Sequence, residues 1–156
     1  MEPLKPFEVN ETSSTTKKEF NNTPNPLKPS NAFVGAGWFA LLTGTVAYCI
    51  GLFNADMLLN EKGYYFTILL FGLFAVISVQ KSVRDRLEGV PVSDMYYGLS
   101  WFSMVASVVL LVIGLWNADL LLSEKGFFGM SYTLALFSAI AVQKNTRDLK
   151  LFSDTL

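Results

Sequence analysis

The sequence predicts an all-α membrane protein whose four transmembrane helices form two tandem helical hairpins of the same orientation. Three observations lead there: four long gaps between charged residues, an internal repeat with a 63-residue period, and a one-sided distribution of Lys and Arg. The charge-free gaps are 29–55, 63–80, 95–118 and 126–143. A helix rises about 1.5 Å per residue, so roughly 20 apolar residues cross the hydrocarbon core. The two shorter gaps hold 18 residues each. They reach across if Lys62, Lys81, Lys125 and Lys144 extend their stems toward the interface. Buried helices of a soluble protein are the competing explanation, but four such segments leave too little polar sequence to cover them.

The repeat is read by shifting the chain 63 residues. Gly35 then meets Gly98, and Trp38-Phe39 meets Trp101-Phe102. Ile50-Gly51-Leu52 falls on Ile113-Gly114-Leu115, and Asn54-Ala55-Asp56 on Asn117-Ala118-Asp119. Glu61-Lys62-Gly63 falls on Glu124-Lys125-Gly126, Gln80-Lys81 on Gln143-Lys144, and Arg84-Asp85 on Arg147-Asp148. Matches this dense, without a gap, mark a duplicated unit. Each unit has two spans and returns to its starting side, so both copies share one orientation. Their symmetry axis runs along the membrane normal, unlike that of inverted transporter repeats.

Taken in order, the segments are a disordered tail over 1–32, a first two-helix unit over 33–89 and a linker over 90–96. A second unit over 97–150 and a short tail over 151–156 complete the chain. The tail is rich in Asn, Thr, Ser, Pro and Lys, a composition that buries too little surface to offset chain entropy. No apolar stretch near residue 1 resembles a cleavable signal, so the first span is expected to direct insertion. The tail, the central linker and the chain end carry ten of the twelve Lys and Arg residues, and the two short loops carry only Lys62 and Lys125. The positive-inside rule then places both termini in the cytoplasm. Trp116, Tyr64, Tyr65, Phe127 and Phe128 are expected at the outer interface, and Tyr96 and Tyr97 at the inner one. Within a span, an Asp or Lys costs roughly 2.5–3.5 kcal/mol while a Leu or Phe returns about 0.3–0.6, so the loops stay at the surface.

Composition also bounds the chemistry. There is no histidine, which removes the usual general base and the commonest metal ligand. Cys49 is the only cysteine, so neither an intramolecular disulfide nor a thiolate metal site is expected. No cofactor is implied. A net charge of −1 gives no reason to expect a nucleic-acid partner.

The doubled pattern Gly-Leu-Phe/Trp-Asn-Ala-Asp, then Leu-Leu-x-Glu-Lys-Gly with two aromatics, then Gln-Lys-x-x-Arg-Asp, resembles the bacterial YiaA/YiaB inner membrane family. The resemblance covers about residues 33–150 and recurs in both halves. It implies a bacterial inner-membrane location and a tandem two-helix domain, and it implies no substrate or catalytic residue. The tail over 1–32 departs from the family pattern.

Two sets of residues are candidates for a site. Asn54, Asp56, Glu61 and Lys62, with their copies Asn117, Asp119, Glu124 and Lys125, would form a polar site at the outer mouth. The competing explanation is structural. Asn54 reads as an N-cap, Asp56 and Lys62 suit the two ends of a helix, and Gly63 suits C′, giving a short capped helix over 54–63 and another over 117–126. At the inner end, Lys81 and Arg84 share a helix face, as do Lys144 and Arg147. They suit phosphate headgroups of membrane lipid or an anionic partner, unless Asp85 and Asp148 pair with the lysines. In the first span Gly37, Ala40, Gly44, Ala47 and Gly51 make a contact seam, because helices in lipid associate through small residues.

The function these features favour is that of a non-enzymatic structural or regulatory membrane subunit, with lipid and a protein partner or second copy as its contacts. The alternative is a small-solute transporter or passive channel. Ion-coupled transport usually leaves ionisable residues inside the spans, and these spans hold none.

Overall fold

The computed structural model describes residues 29–153, with side chains placed through Lys150. It contains four helices: α1 (Asn31–Asn54), α2 (Leu59–Leu87), α3 (Asp94–Asn117) and α4 (Leu122–Ser153). All four are long and apolar enough to cross a membrane. At about 1.5 Å per residue, even the 24-residue helices α1 and α3 exceed a hydrocarbon core of about 30 Å. Residues 1–28 of the expected tail lie outside the described residues. The remainder departs from expectation, because α1 begins at Asn31, where Ser30 caps it by accepting a hydrogen bond from Phe33 N at 3.2 Å. Residues 94–96 of the expected linker and 151–153 of the expected end tail are likewise helical.

The caps follow the repeat. Ser93, 63 residues after Ser30, accepts from Tyr96 N at 3.1 Å and starts α3. The helix α2 ends in a Schellman turn: Val90 N donates to Asp85 O and Gly89 N to Arg86 O, with Gly89 at φ +75°. That left-handed conformation suits glycine, and Pro91 directly beyond cannot continue the helix.

The two helices of a unit make few contacts with each other. Instead α1 packs along α4, α3 packs along α2, and α2 meets α4 at the centre. The central pair is accordingly the more buried, with 44% of the span interior against 17% for α1 and α3. Glycines set the close approaches. A Cβ on Gly44 would lie 2.7 Å from Ala135 N, backbone against backbone. One on Gly51 would lie 2.5 Å from the Phe127 ring, and one on Gly114 would lie 2.8 Å from the Tyr64 ring. The Gly51–Phe127 and Gly114–Tyr64 contacts are the same contact displaced by one repeat. The seam of the first span is therefore an inter-unit seam. Gly37, Gly44, Tyr48 and Leu52 are buried, and Ala40 and Ala47 flank them half-buried.

Aromatic rings fill the half of the core nearest the short loops. Tyr48 meets Phe128 edge-on at 5.3 Å, and Tyr65 stacks with Phe128 at 6.0 Å. The Tyr48 hydroxyl donates to Tyr65 O at 3.0 Å. Tyr65 and Phe128, expected at the membrane interface, are thus core residues, while Trp116 is exposed. They are buried because each stands one residue past a ring, Tyr64 or Phe127, that covers a glycine on the other unit. Serines within the spans bond to their own helices: Ser100 donates to Tyr96 O, Ser107 to Met104 O and Ser131 to Phe127 O. Such bonds satisfy a hydroxyl without a polar channel.

Candidate functional site

The loops 55–58 and 118–121 close one end of the bundle. Neither 54–63 nor 117–126 forms a separate short helix: Asn54 and Asn117 end α1 and α3, and Leu59 and Leu122 open α2 and α4. Gly63 and Gly126 accordingly lie inside helices rather than at C′ positions. The residues that looked like caps do cap, but on the long helices. Glu61 Oε2 accepts from Leu58 N at 2.8 Å, and Glu124 Oε2 accepts from Leu121 N at 2.8 Å. Lys62 Nζ donates to Phe53 O at 2.9 Å and Lys125 Nζ to Trp116 O at 3.5 Å, placing each cation on the carbonyl end of the preceding helix. Asn117 Nδ2 donates to Ile113 O at 2.8 Å. Asp56 and Asp119 are exposed and hold no ion pair among the described residues.

Among the described residues, a pair of cavities at this end repeats the same wall positions one repeat apart. The larger, about 690 Å³, is lined by Asn60, Glu61, Tyr64 and Tyr65 from α2 and by Gly114 and Asn117 from α3. Asp56 and Asp119 complete its polar wall. The smaller, about 290 Å³, is lined by Ser123, Glu124, Phe127 and Phe128 from α4 and by Gly51 and Asn54 from α1. Each lies where the last turn of a unit's first helix faces the first turns of the other unit's second helix. Of the eight loop residues, the larger cavity gathers Asp56, Glu61, Asn117 and Asp119, the smaller takes Asn54 and Glu124, and Lys62 and Lys125 line neither. Tyr64 also ties α2 to α3, its hydroxyl donating to Leu110 O at 2.9 Å.

At the opposite end the basic residues separate by role. Arg84 pairs with Asp85 at 2.7 Å, and Arg147 with Asp148 at 3.0 Å. The aspartates therefore pair with the neighbouring arginines rather than with the lysines four residues before them. Glu88 joins the units, accepting from Arg147 Nη1 at 3.1 Å and lying 3.9 Å from Arg84 Nε. Lys81 and Lys144 are exposed, without an ion pair among the described residues. Arg86 pairs with Asp94 and covers the Tyr97 ring at 3.9 Å. One turn deeper, Gln80 Oε1, Gln143 Oε1 and Asn145 Nδ2 are buried without a hydrogen-bond partner among the described residues. Sequence reasoning had singled out none of these three as buried. The recurrence of Gln80 as Gln143 was the available signal, since a polar residue beside a span's end is otherwise expected to face water.

The duplicated unit is matched by one family signature. The YiaA/B two-helix domain matches residues 33–85 and again residues 96–148. This chain belongs to the YiaAB family. It is 56% identical over 119 residues to "Inner membrane protein YiaA" of Escherichia coli (strain K12), covering 76% of this chain and 82% of that relative. It is 41% identical over 58 residues to "Uncharacterized membrane protein YubF" of Bacillus subtilis (strain 168), covering 36% of this chain and 67% of that relative. The second match is shorter than one 63-residue repeat. No solved structure matches this YiaAB chain significantly. Among the described residues, no group of three or more His, Cys, Asp or Glu side chains is placed to hold a metal ion.

Proposed function

We propose that this YiaAB protein is a non-enzymatic structural or regulatory subunit of the bacterial inner membrane, with both termini in the cytoplasm. The observation that carries this reading is the filled centre of the bundle. Leu69, Ala75, Val76, Tyr132 and Ala135 are each at most 2% exposed, and they occupy the level where a transporter would hold its substrate. Among the described residues, the Asp, Glu, Lys and Arg side chains lie at the two ends. At the loop end, six of the eight candidate residues sit at helix termini, five of them bonded to backbone there, so their chemistry is used to build the fold. The orientation rests on the ten-to-two distribution of Lys and Arg. On that orientation, Lys81 and Lys144 extend to the lipid headgroups of the cytoplasmic leaflet.

Two measurements test the reading together. Purified protein in proteoliposomes should pass ions and small neutral solutes no faster than protein-free vesicles. Purification in mild detergent, repeated from the captured partner's side, should return the same complex. Saturable solute flux that is lost when the bundle is unfolded would replace the subunit reading with a transporter.

A further inference from the structure

We propose that the two-helix unit is a pairing module whose required partner is a second unit of the same kind, and that this chain supplies both units in cis. The first ground is the contact pattern. A hairpin is ordinarily held by contact between its own helices, yet α1 turns its buried face to α4 and α3 turns its buried face to α2. A unit standing alone would leave Gly44, Tyr48 and Leu52 of α1 and Tyr65, Leu69 and Val76 of α2 without the surface that covers them.

The second ground is that the pairing surface is duplicated in detail. Gly51 seats Phe127 just as Gly114 seats Tyr64, and the two loop-end cavities repeat the same wall positions. A contact that recurs when the units are exchanged is an isologous one, the kind through which identical subunits form a two-fold dimer. The Bacillus subtilis relative supplies a third, independent ground. Its match is no longer than one unit yet covers 67% of that protein, so a single unit occurs as most of a chain. Within a unit the helices are joined by the buried Tyr48–Tyr65 hydrogen bond, which Leu111 in place of Tyr48 cannot make in the second unit, and by the exposed Lys62–Phe53 and Lys125–Trp116 bonds at the loop end.

The connection between Leu87 and Asp94 is then needed to bring the units together in synthesis, not to hold them afterwards. Its contribution is raised effective concentration, which the packed interface no longer requires. The test uses the full chain with a protease recognition sequence inserted between Val90 and Pro91, beyond the Schellman turn of α2. After cleavage in mild detergent, the two fragments should co-elute at the volume of the uncut protein and unfold in one transition. Separation of the fragments under conditions that keep the uncut protein folded would overturn the proposal. A second variant does not depend on the insertion. In a Cys49→Ala background, Gly37→Cys and Val142→Cys place sulfurs across the α1–α4 seam, where a Cβ on Gly37 lies 3.5 Å from Val142 Cγ2. An intramolecular disulfide should form in membranes from both cut and uncut chains and keep the cut halves together on a non-reducing gel. Absence of that cross-link in a folded chain would show that α1 does not pair with the second unit.

Discussion

Among the described glycines, Gly44 is packed most tightly against backbone. Its Cβ position lies 2.7 Å from Ala135 N and 3.1 Å from Ser131 O. Neither atom can move without shifting α4. Because lipid gives helices no hydrophobic drive to associate, such close approach carries the inter-unit contact. Gly44→Ala should therefore lower stability in detergent by about 1–3 kcal/mol, the usual cost of overpacking. Thr43→Leu should cost much less, since Thr43 faces outward and is exposed. Thermal unfolding of the purified variants distinguishes the two, and equal effects would contradict the seam. The seam was legible in the sequence as small residues at spacings of three and four. Which partner it met was not, because glycine spacing says that something approaches and carries no information about what.

At the scale of the element, the loop-end residues are best understood as helix terminators. Glu61 and Glu124 each accept from a backbone N–H exposed at the start of a helix. Glu61→Ala and Glu124→Ala should each lower stability by about 1 kcal/mol, and Asp56→Asn, which removes no such bond, should leave it unchanged. Parallel melts of the three variants check this, and a large effect of Asp56→Asn alone would point to a role for the free carboxylate in the larger cavity. The Glu88–Arg147 pair is part-exposed, so Arg147→Gln should cost less than about 1 kcal/mol because solvent and salt screen it. A melt at low and high salt measures that contribution. The sequence showed the capping residues but assigned them to a separate short helix. Asn, Asp, Lys and Gly at those offsets fit a helix that ends at Gly63 as well as one that runs through it. The choice is made by the tertiary fold, in which the first turns of α2 are extended against the end of α3.

For the whole molecule, four spans, a tandem repeat and a shared orientation of the units follow from charge gaps and a 63-residue self-match. The cross-pairing does not, because hydrophobic spans in lipid have no apolar face that must turn inward. A reader of the sequence sees which segments cross, without seeing which neighbours they choose. Tyr65 and Phe128 illustrate this: an aromatic pair beside a span's end reads as an interface anchor, and only the glycines of the opposite unit turn its second ring into core. The central claim is that both short loops lie on one side of the membrane and the connection between the units on the other. Its most direct test is cysteine labelling in intact cells in a Cys49→Ala background. Asn60, Ser123 and Val90 are exposed at the ends concerned. An impermeant reagent should label Asn60→Cys and Ser123→Cys equally from outside, and Val90→Cys only after permeabilisation. Labelling of Val90→Cys in intact cells, or opposite behaviour of Asn60→Cys and Ser123→Cys, would contradict the account.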